Sequence, residues 1–243
     1  YLISLSIYIY HFLPWTETVL ASVTSISDLN PISYRWLSAL AGTSIIYVAY
    51  RICFELFNKR NLALLAALFF AIDGSLLVDS RFGLINVYLS LFGLLSALFL
   101  IKFLKVAENL SSLFISCFFL GLTFAIKWNG LGFWLTSLLF ILLVLLFNKQ
   151  FKTERQGTLL NQSQISKFNV LSVSLIPFLA YLILWIPDLL FHGSELVDKH
   201  SQIISYHTSN IEQKLHPYSS SWFTWPIMLR PIAYYFSSQE ILT

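Results

Sequence analysis

Charge is scarce in this chain. Asp, Glu, Lys and Arg make up 11% of its 243 residues, against about 25% in an ordinary soluble domain. Hydrophobic residues make up 57% and the mean hydropathy is +0.71. A soluble fold of this size would lack the polar surface needed to stay in water. Cysteine is nearly missing too. Cys53 and Cys117 both lie in apolar runs, which excludes a disulfide framework and leaves two small buried hydrophobes. His192, His200, His207 and His216 stand seven or more residues apart, too far for the paired ligands of a zinc helix. No Walker loop, GxGxxG, GxSxG or CxxC is present, so soluble nucleotide and acyl-transfer chemistry has no support. With a net charge of only +3 there is no basic patch for a nucleic acid. Neither a signal peptide nor an internal repeat is recognisable.

Long apolar runs are what the sequence does have. They cover Ile32 to Ile52, Leu62 to Val78 (interrupted at Asp73 and Gly74), Phe82 to Leu104, Leu113 to Ile126, Leu131 to Phe147 and Phe168 to Phe191. A further run begins at Ile227. At about 20 residues per span the chain is long enough for about six or seven crossings. Residues 1–13 are apolar but short, and a Pro14-Trp15 pair and a Ser/Thr-rich stretch follow, which favours an interfacial helix. The expected organisation is an interfacial, extracytoplasmic segment over 1–30 and a transmembrane bundle of about six helices over 31–191. An extracytoplasmic loop over 192–226 and the start of another span over 227–243 complete it. The chain opens at Tyr1 and stops at Thr243 within the last pattern, so it reads as a fragment of a longer protein.

The distribution of cations orients such a bundle. If the helices alternate, one face receives Arg51, Lys59, Arg60, Lys102, Lys105, Lys149, Lys152, Arg155 and Lys167, with Glu55, Glu108 and Glu154. The other keeps the remaining six basic residues and nine acids. The first face is therefore expected to be cytoplasmic. The opposite face gathers Arg35, Asp73, Asp79, Arg81, Asn86, Lys127, Asn129, His216, Trp222, Trp225 and Arg230. Charge at membrane depth is costly and normally meets water or a partner, so this grouping points to a site open to the exterior.

Each candidate has two readings. Asp79-Ser80-Arg81 is expected to form a tight polar turn between two runs. Arg81 offers a fork of donors to a phosphate, or pairs with an Asp at the membrane edge. Asp73 lies late in one helix. Asn86, just inside the next, either binds a sugar hydroxyl or ties helices together. Lys127, in Lys127-Trp128-Asn129-Gly130 at a short hairpin tip, either snorkels to the surface or gives a point charge to a phosphate. Arg35 has the same two options, and Trp36 beside it fits an aromatic belt. His216 precedes Pro217, whose ring fixes the backbone beside it, and an imidazole held there can donate to phosphate or move a proton. Trp222 and Trp225 can stack on a sugar or sit in the interface, and Arg230 needs an anion or water.

The segments SYRWLSALAG, DGSLLVDSRFGLINVYL, GLTFAIKWNGLG, LWIPDLL and HPYSSSWFTWPIMLRPIAYY, in this order and at this spacing, resemble the protein O-mannosyltransferases. These are dolichyl-phosphate-mannose–protein mannosyltransferases of the GT-C membrane fold, and the bacterial, notably cyanobacterial, branch is the most similar. The resemblance runs over nearly the whole chain. It implies an all-α polytopic membrane enzyme with a GT-C-type helical bundle. Such an enzyme takes mannose from a polyprenyl (dolichyl-type) phosphate carrier and passes it, with inversion, to Ser or Thr hydroxyls of a protein outside the cytoplasm. It also implies that Arg35, Asp73, Arg81, Asn86, Lys127, His216, Trp222, Trp225 and Arg230 bind substrate. In this family the catalytic base sits in a first external loop bearing an Asp-Glu pair, before a His-Pro-Pro-Leu-Gly-Lys motif. Neither occurs here, so the base is expected upstream of Tyr1. Many members carry Asp where this chain has Asn86, which can hydrogen-bond but cannot act as a base. No cofactor is implied and the sequence does not require a divalent metal. The implied partners are the lipid-linked sugar, a Ser/Thr-containing protein and membrane lipids, with no nucleic acid. The implied location is a bacterial plasma membrane, or the endoplasmic reticulum in a eukaryote. Two other readings stay open: a GT-C transferase acting on a lipid or glycan, and a membrane transporter.

Overall fold

The computed structural model of the chain describes residues 2–13, 29–105, 109–151, 167–193 and 195–209. Among them every regular element is a helix. They are α1 (Leu2–His11), α2 (Pro31–Phe57), α3 (Arg60–Ala71), α4 (Gly74–Phe82), α5 (Asn86–Lys105), α6 (Leu110–Ile126), a 3-10 turn at Trp128–Gly130, α7 (Leu131–Phe151), α8 (Lys167–His192) and α9 (Glu195–Ser209). By length and composition α2, α5, α7 and α8 are each able to cross a membrane. The pair α3 and α4, bent by 57° at its break, makes a fifth crossing if taken as one broken span. Helices α1 and α6 are shorter and also apolar.

Local chemistry sets the ends of these helices. The Asn30 side chain accepts from the Ile32 N–H at 3.0 Å and Pro31 opens the first turn of α2, a position where its missing donor costs nothing. Asn58 ends α2 in the left-handed region at φ 50°, which Asn tolerates better than most residues. Asn109 caps α6 by accepting from the Ser112 N–H at 3.1 Å.

The segment 74–82 corrects one expectation. Asp79, Ser80 and Arg81 do not form a turn; they lie in α4. Asp73 interrupts the preceding run because its side chain accepts from the Leu76 N–H at 2.8 Å and starts a new helix there. That helix ends at Gly83, with φ at +69°, so the true turn is 83–85. Gly83 also lies against the Tyr34 carbonyl, where a Cβ would sit 3.3 Å from the oxygen. Both its backbone angle and this close approach require glycine.

In the unit Tyr1–Trp185, α3 and α4 return along α2. Ser80 packs on Gly42, where an added Cβ would lie 2.6 Å from the Ser80 Cβ, and Gly83 reaches Tyr34 and Arg35. One apolar cluster joins Ala41 and Ile45 of α2 to Val87 and Tyr88 of α5. Another draws Phe103 and Leu104 of α5, Leu113 and Leu120 of α6, Ile141 of α7 and Val173 of α8 together. Lipid tails are as apolar as leucine, so helix association in a bilayer leans on close packing and hydrogen bonds. Ser96 and Ser116 share a bond of 3.0 Å between α5 and α6. Ser38 and Tyr88 share one of 2.9 Å. Trp134 Nε1 donates to the Val173 carbonyl at 2.9 Å. Large apolar side chains such as Leu64, Phe69, Leu139, Leu179 and Ile183 are left exposed, as a bilayer allows and water does not.

In the unit Ile186–Thr243, the end of α8 turns into α9 through Gly193 at φ +54°. Both carboxylate oxygens of Asp188 accept from Lys199 Nζ, at 2.9 and 3.1 Å, and His192 Nδ1 lies 3.1 Å from the same group.

Candidate functional site

The alternating direction of successive helices puts several of the predicted residues at one end of the bundle. The Ser38–Tyr88 and Ser96–Ser116 bonds fix α2, α5 and α6 in a register that aligns the start of α2, the start of α5 and the end of α6. Arg35, Asn86 and Lys127 fall at that common end. Helix α4 brings Arg81 to it, because Gly83 reaches Tyr34 and Arg35.

Arg35 and Arg81 then share a groove of about 380 Å³ with Pro31, Ile32, Trp36 and Ser80. The Arg35 guanidinium carbon lies 5.3 Å from the Tyr34 ring centre and 5.8 Å from that of Phe82, within cation–π range. Its Nε is buried and has no hydrogen-bond partner, an arrangement that is costly unless an acceptor arrives. Arg81 is exposed in the last turn of α4, where the helix dipole favours a cation. Among the described residues no carboxylate lies within ion-pair distance of either arginine. Asp79 is buried while Arg81, two positions on, is exposed, as expected for helix residues that do not face each other. Among the described residues Arg81 does not form the edge ion pair weighed from the sequence. Among the described residues, two guanidinium groups thus stand beside one another with no carboxylate within ion-pair distance of either, and guanidinium groups are suited to bind phosphate.

The remaining predicted residues do not line this groove. Asp73 caps α4 and borders a separate groove of about 490 Å³ with Phe69, Ser75, Ser90, Leu94 and Phe133. Asn86 is the half-buried first residue of α5, and Lys127 is exposed between α6 and the 3-10 turn. His216, Trp222, Trp225 and Arg230 lie outside the described residues. One group that the sequence did not single out is His11, at the end of α1. Both of its ring nitrogens are buried without a hydrogen-bond partner, and nothing in an apolar run signals this.

The cap role of Asp73 gives a direct expectation. Asp73→Ala should lower stability by about 1 kcal/mol, while Asp73→Asn should stay close to wild type, since Asn also caps. Thermal unfolding in detergent checks this. Equal losses in both variants would mean that the charge, rather than the cap, matters.

The helices and their exposed apolar faces define an all-α, multi-pass membrane protein, with a cationic groove at one end of the bundle. The dolichyl-phosphate-mannose-protein mannosyltransferase family model matches residues 1–189, so the chain belongs to that family. A polyprenol-phosphate-mannose–protein mannosyltransferase of Corynebacterium glutamicum is 27% identical over 269 residues, covering 87% of this chain and 50% of that protein. One of the same name from Mycolicibacterium smegmatis is 24% identical over 268 residues, with the same coverage. The chain spans about half the length of these relatives. No solved structure matches it.

Proposed function

We propose that this chain is the part of a mannosyltransferase that binds the carrier phosphate. Mannose passes from a polyprenyl phosphate to Ser or Thr hydroxyls of proteins on the extracytoplasmic side of a bacterial plasma membrane. The observation that carries this reading is the groove in which Arg35 and Arg81 lie together, with no carboxylate among the described residues within ion-pair distance of either. Family membership and the names of the two bacterial relatives support it. The gathering of cations at the opposite end supports the orientation. In the same reading residues 31–191 are the bundle, 192–226 an external loop, 227–243 the start of a further span and 1–30 an interfacial segment.

The chemistry follows from charge. The acceptor oxygen attacks the anomeric carbon from the face opposite the phosphate, so the new C–O bond inverts that centre. The bond from carbon to phosphate oxygen breaks, and the leaving phosphate changes from a diester with one negative charge to a monoester approaching two. Cations placed on that phosphate therefore bind the transition state more tightly than the ground state. The hydroxyl proton needs a base. The described residues that line the groove include none, and the resemblance puts it in an external loop outside this chain. Trp36 supplies an apolar wall beside the two guanidinium groups. Lys127 and Asn86, at the same end, are placed to meet the sugar or acceptor, and His216, Trp222, Trp225 and Arg230 complete the proposed set.

Membranes carrying the whole protein are expected to move radiolabelled mannose from a polyprenyl phosphate to a Ser/Thr peptide. The label should be released by alkaline β-elimination and have the opposite anomeric configuration to the donor. Label appearing on a lipid or glycan, with none on peptide, would replace this reading by another carrier-dependent transferase.

A further inference from the structure

The far end of α2 carries a second cationic cavity, which phosphate binding at Arg35 and Arg81 leaves unexplained. It measures about 680 Å³ and is lined by Lys59, Arg60, Asn61, Leu62 and Leu65. All five side chains are exposed. Helix α2 has 27 residues, so this cavity lies about 40 Å from the arginine groove along the helix axis.

Among the described residues its charge is not balanced. The nearest acid along the chain, Glu55, accepts from Arg51 Nη2 at 3.1 Å and from Lys105 Nζ at 3.1 Å, so it is already engaged on its own side. Among the described residues no carboxylate lies within ion-pair distance of Lys59 or Arg60. No side chain caps the first turn of α3. The cavity is also not purely polar. Its Leu62 and Leu65 walls continue into Phe69 and Ile72, and all four are exposed. Spacings of three, four and three residues put them on one stripe of the helix. A cationic socket at the membrane edge, opening onto an apolar stripe that runs inward, has the shape and polarity of one lipid molecule. A free phosphate would use the socket and leave the stripe bare. A zwitterionic headgroup would need an acid for its ammonium, and the described residues lining the socket include none.

We infer that Lys59, Arg60 and Asn61 hold the phosphate headgroup of an anionic phospholipid whose acyl chain lies along Leu62, Leu65, Phe69 and Ile72. The occupant is a structural lipid, separate from the sugar carrier, and it seats the α2–α3 turn at the membrane surface. Juxtamembrane cations contribute this kind of attraction to acidic lipid.

The test uses the full chain in detergent micelles. Phosphatidylglycerol or phosphatidylcholine is titrated in and bound lipid is counted by native mass spectrometry. Wild type should retain phosphatidylglycerol in preference to phosphatidylcholine, and lose it as ionic strength rises. The K59Q/R60Q variant should bind phosphatidylglycerol about thirtyfold more weakly, from two lost cationic contacts. The charge-conserving K59R/R60K variant should bind within about threefold of wild type. Equal binding of the two lipids by wild type, in a measurement that needs no variant, would overturn the proposal. So would undiminished binding by K59Q/R60Q, or a loss in K59R/R60K as large as in the glutamine variant.

Discussion

Arg81→Ala is expected to lower mannosyl transfer by about a hundredfold while the protein still folds and reaches the membrane. The size follows from what one preorganised donor to a developing anion is worth in other active sites. The exposure of Arg81 in the last turn of α4 argues for the lower end of that range, because solvent screens it. Since charge accumulates on the phosphate as the sugar leaves, the loss should fall mainly on kcat, with KM changing less. Arg81→Lys should recover part of the rate, restoring a point charge but not the two-pronged donor. Arg35→Ala should behave similarly and add a packing defect, because its guanidinium lies over the Tyr34 and Phe82 rings. Lys105 offers the contrast. It ties α5 to Glu55 at the other end of the bundle, so Lys105→Ala should leave transfer within about threefold of wild type, the usual worth of a half-exposed pair. Full activity in Arg81→Ala at normal expression would remove Arg81 from the phosphate site. A large loss in Lys105→Ala would instead challenge the orientation of the bundle.

The apolar runs announced most of the helices, because a bilayer admits little else: every backbone donor must be satisfied within its own segment. The break at Asp73 and Gly74 was also legible, since an acid within an apolar run has few reasons to be there. The meaning of the polar run after it was not. Asp79-Ser80-Arg81 has the composition of a turn, and composition cannot tell a turn from a short helix with a cap on each side. Asp73 and Gly83 decide the matter through one side-chain acceptor and one positive φ. The grouping of Arg35, Arg81, Asn86 and Lys127 at one end followed from counting helices. The pairing of Arg35 with Arg81 in a single groove did not, because it depends on Ser80 packing against Gly42 and Gly83 against Tyr34, contacts between residues some 40 to 50 positions apart. Asp73 shows the opposite case. It was singled out for its charge near a possible substrate, and the structure gives that charge a local partner at Leu76. That role explains the break in the apolar run, and the same carboxylate still borders a groove.

The same dependence on close approach makes Gly121→Val the most destructive change expected in the fold. Gly121 lies where α6 meets α8. An added Cβ would run into the Ala180 Cβ, sit 2.8 Å from the Pro177 carbonyl oxygen and 3.3 Å from the Tyr181 amide nitrogen. Two of these are backbone atoms of a helix, which cannot rotate aside as a side-chain tip can. Gly93 provides the comparison. The three atoms nearest its missing Cβ all belong to the Phe133 ring, and a ring can shift at moderate cost. Forcing extra atoms into a packed core costs about 1–3 kcal/mol where neighbours can give way, so Gly93→Ala should fall in that range. Gly121→Val, with three added carbons against backbone, should exceed it. Separating α6 from α8 would also open the cluster that holds Leu113, Cys117, Leu120 and Val173, and helices in a bilayer have no hydrophobic gain to bring them back. The expected outcome is loss of a monodisperse peak in detergent, with Gly121→Ala intermediate and Gly93→Ala melting only a few degrees early, about 2–4 °C per kcal/mol for a chain of this size. Wild-type melting in Gly121→Val would mean that α6 and α8 are not in this contact.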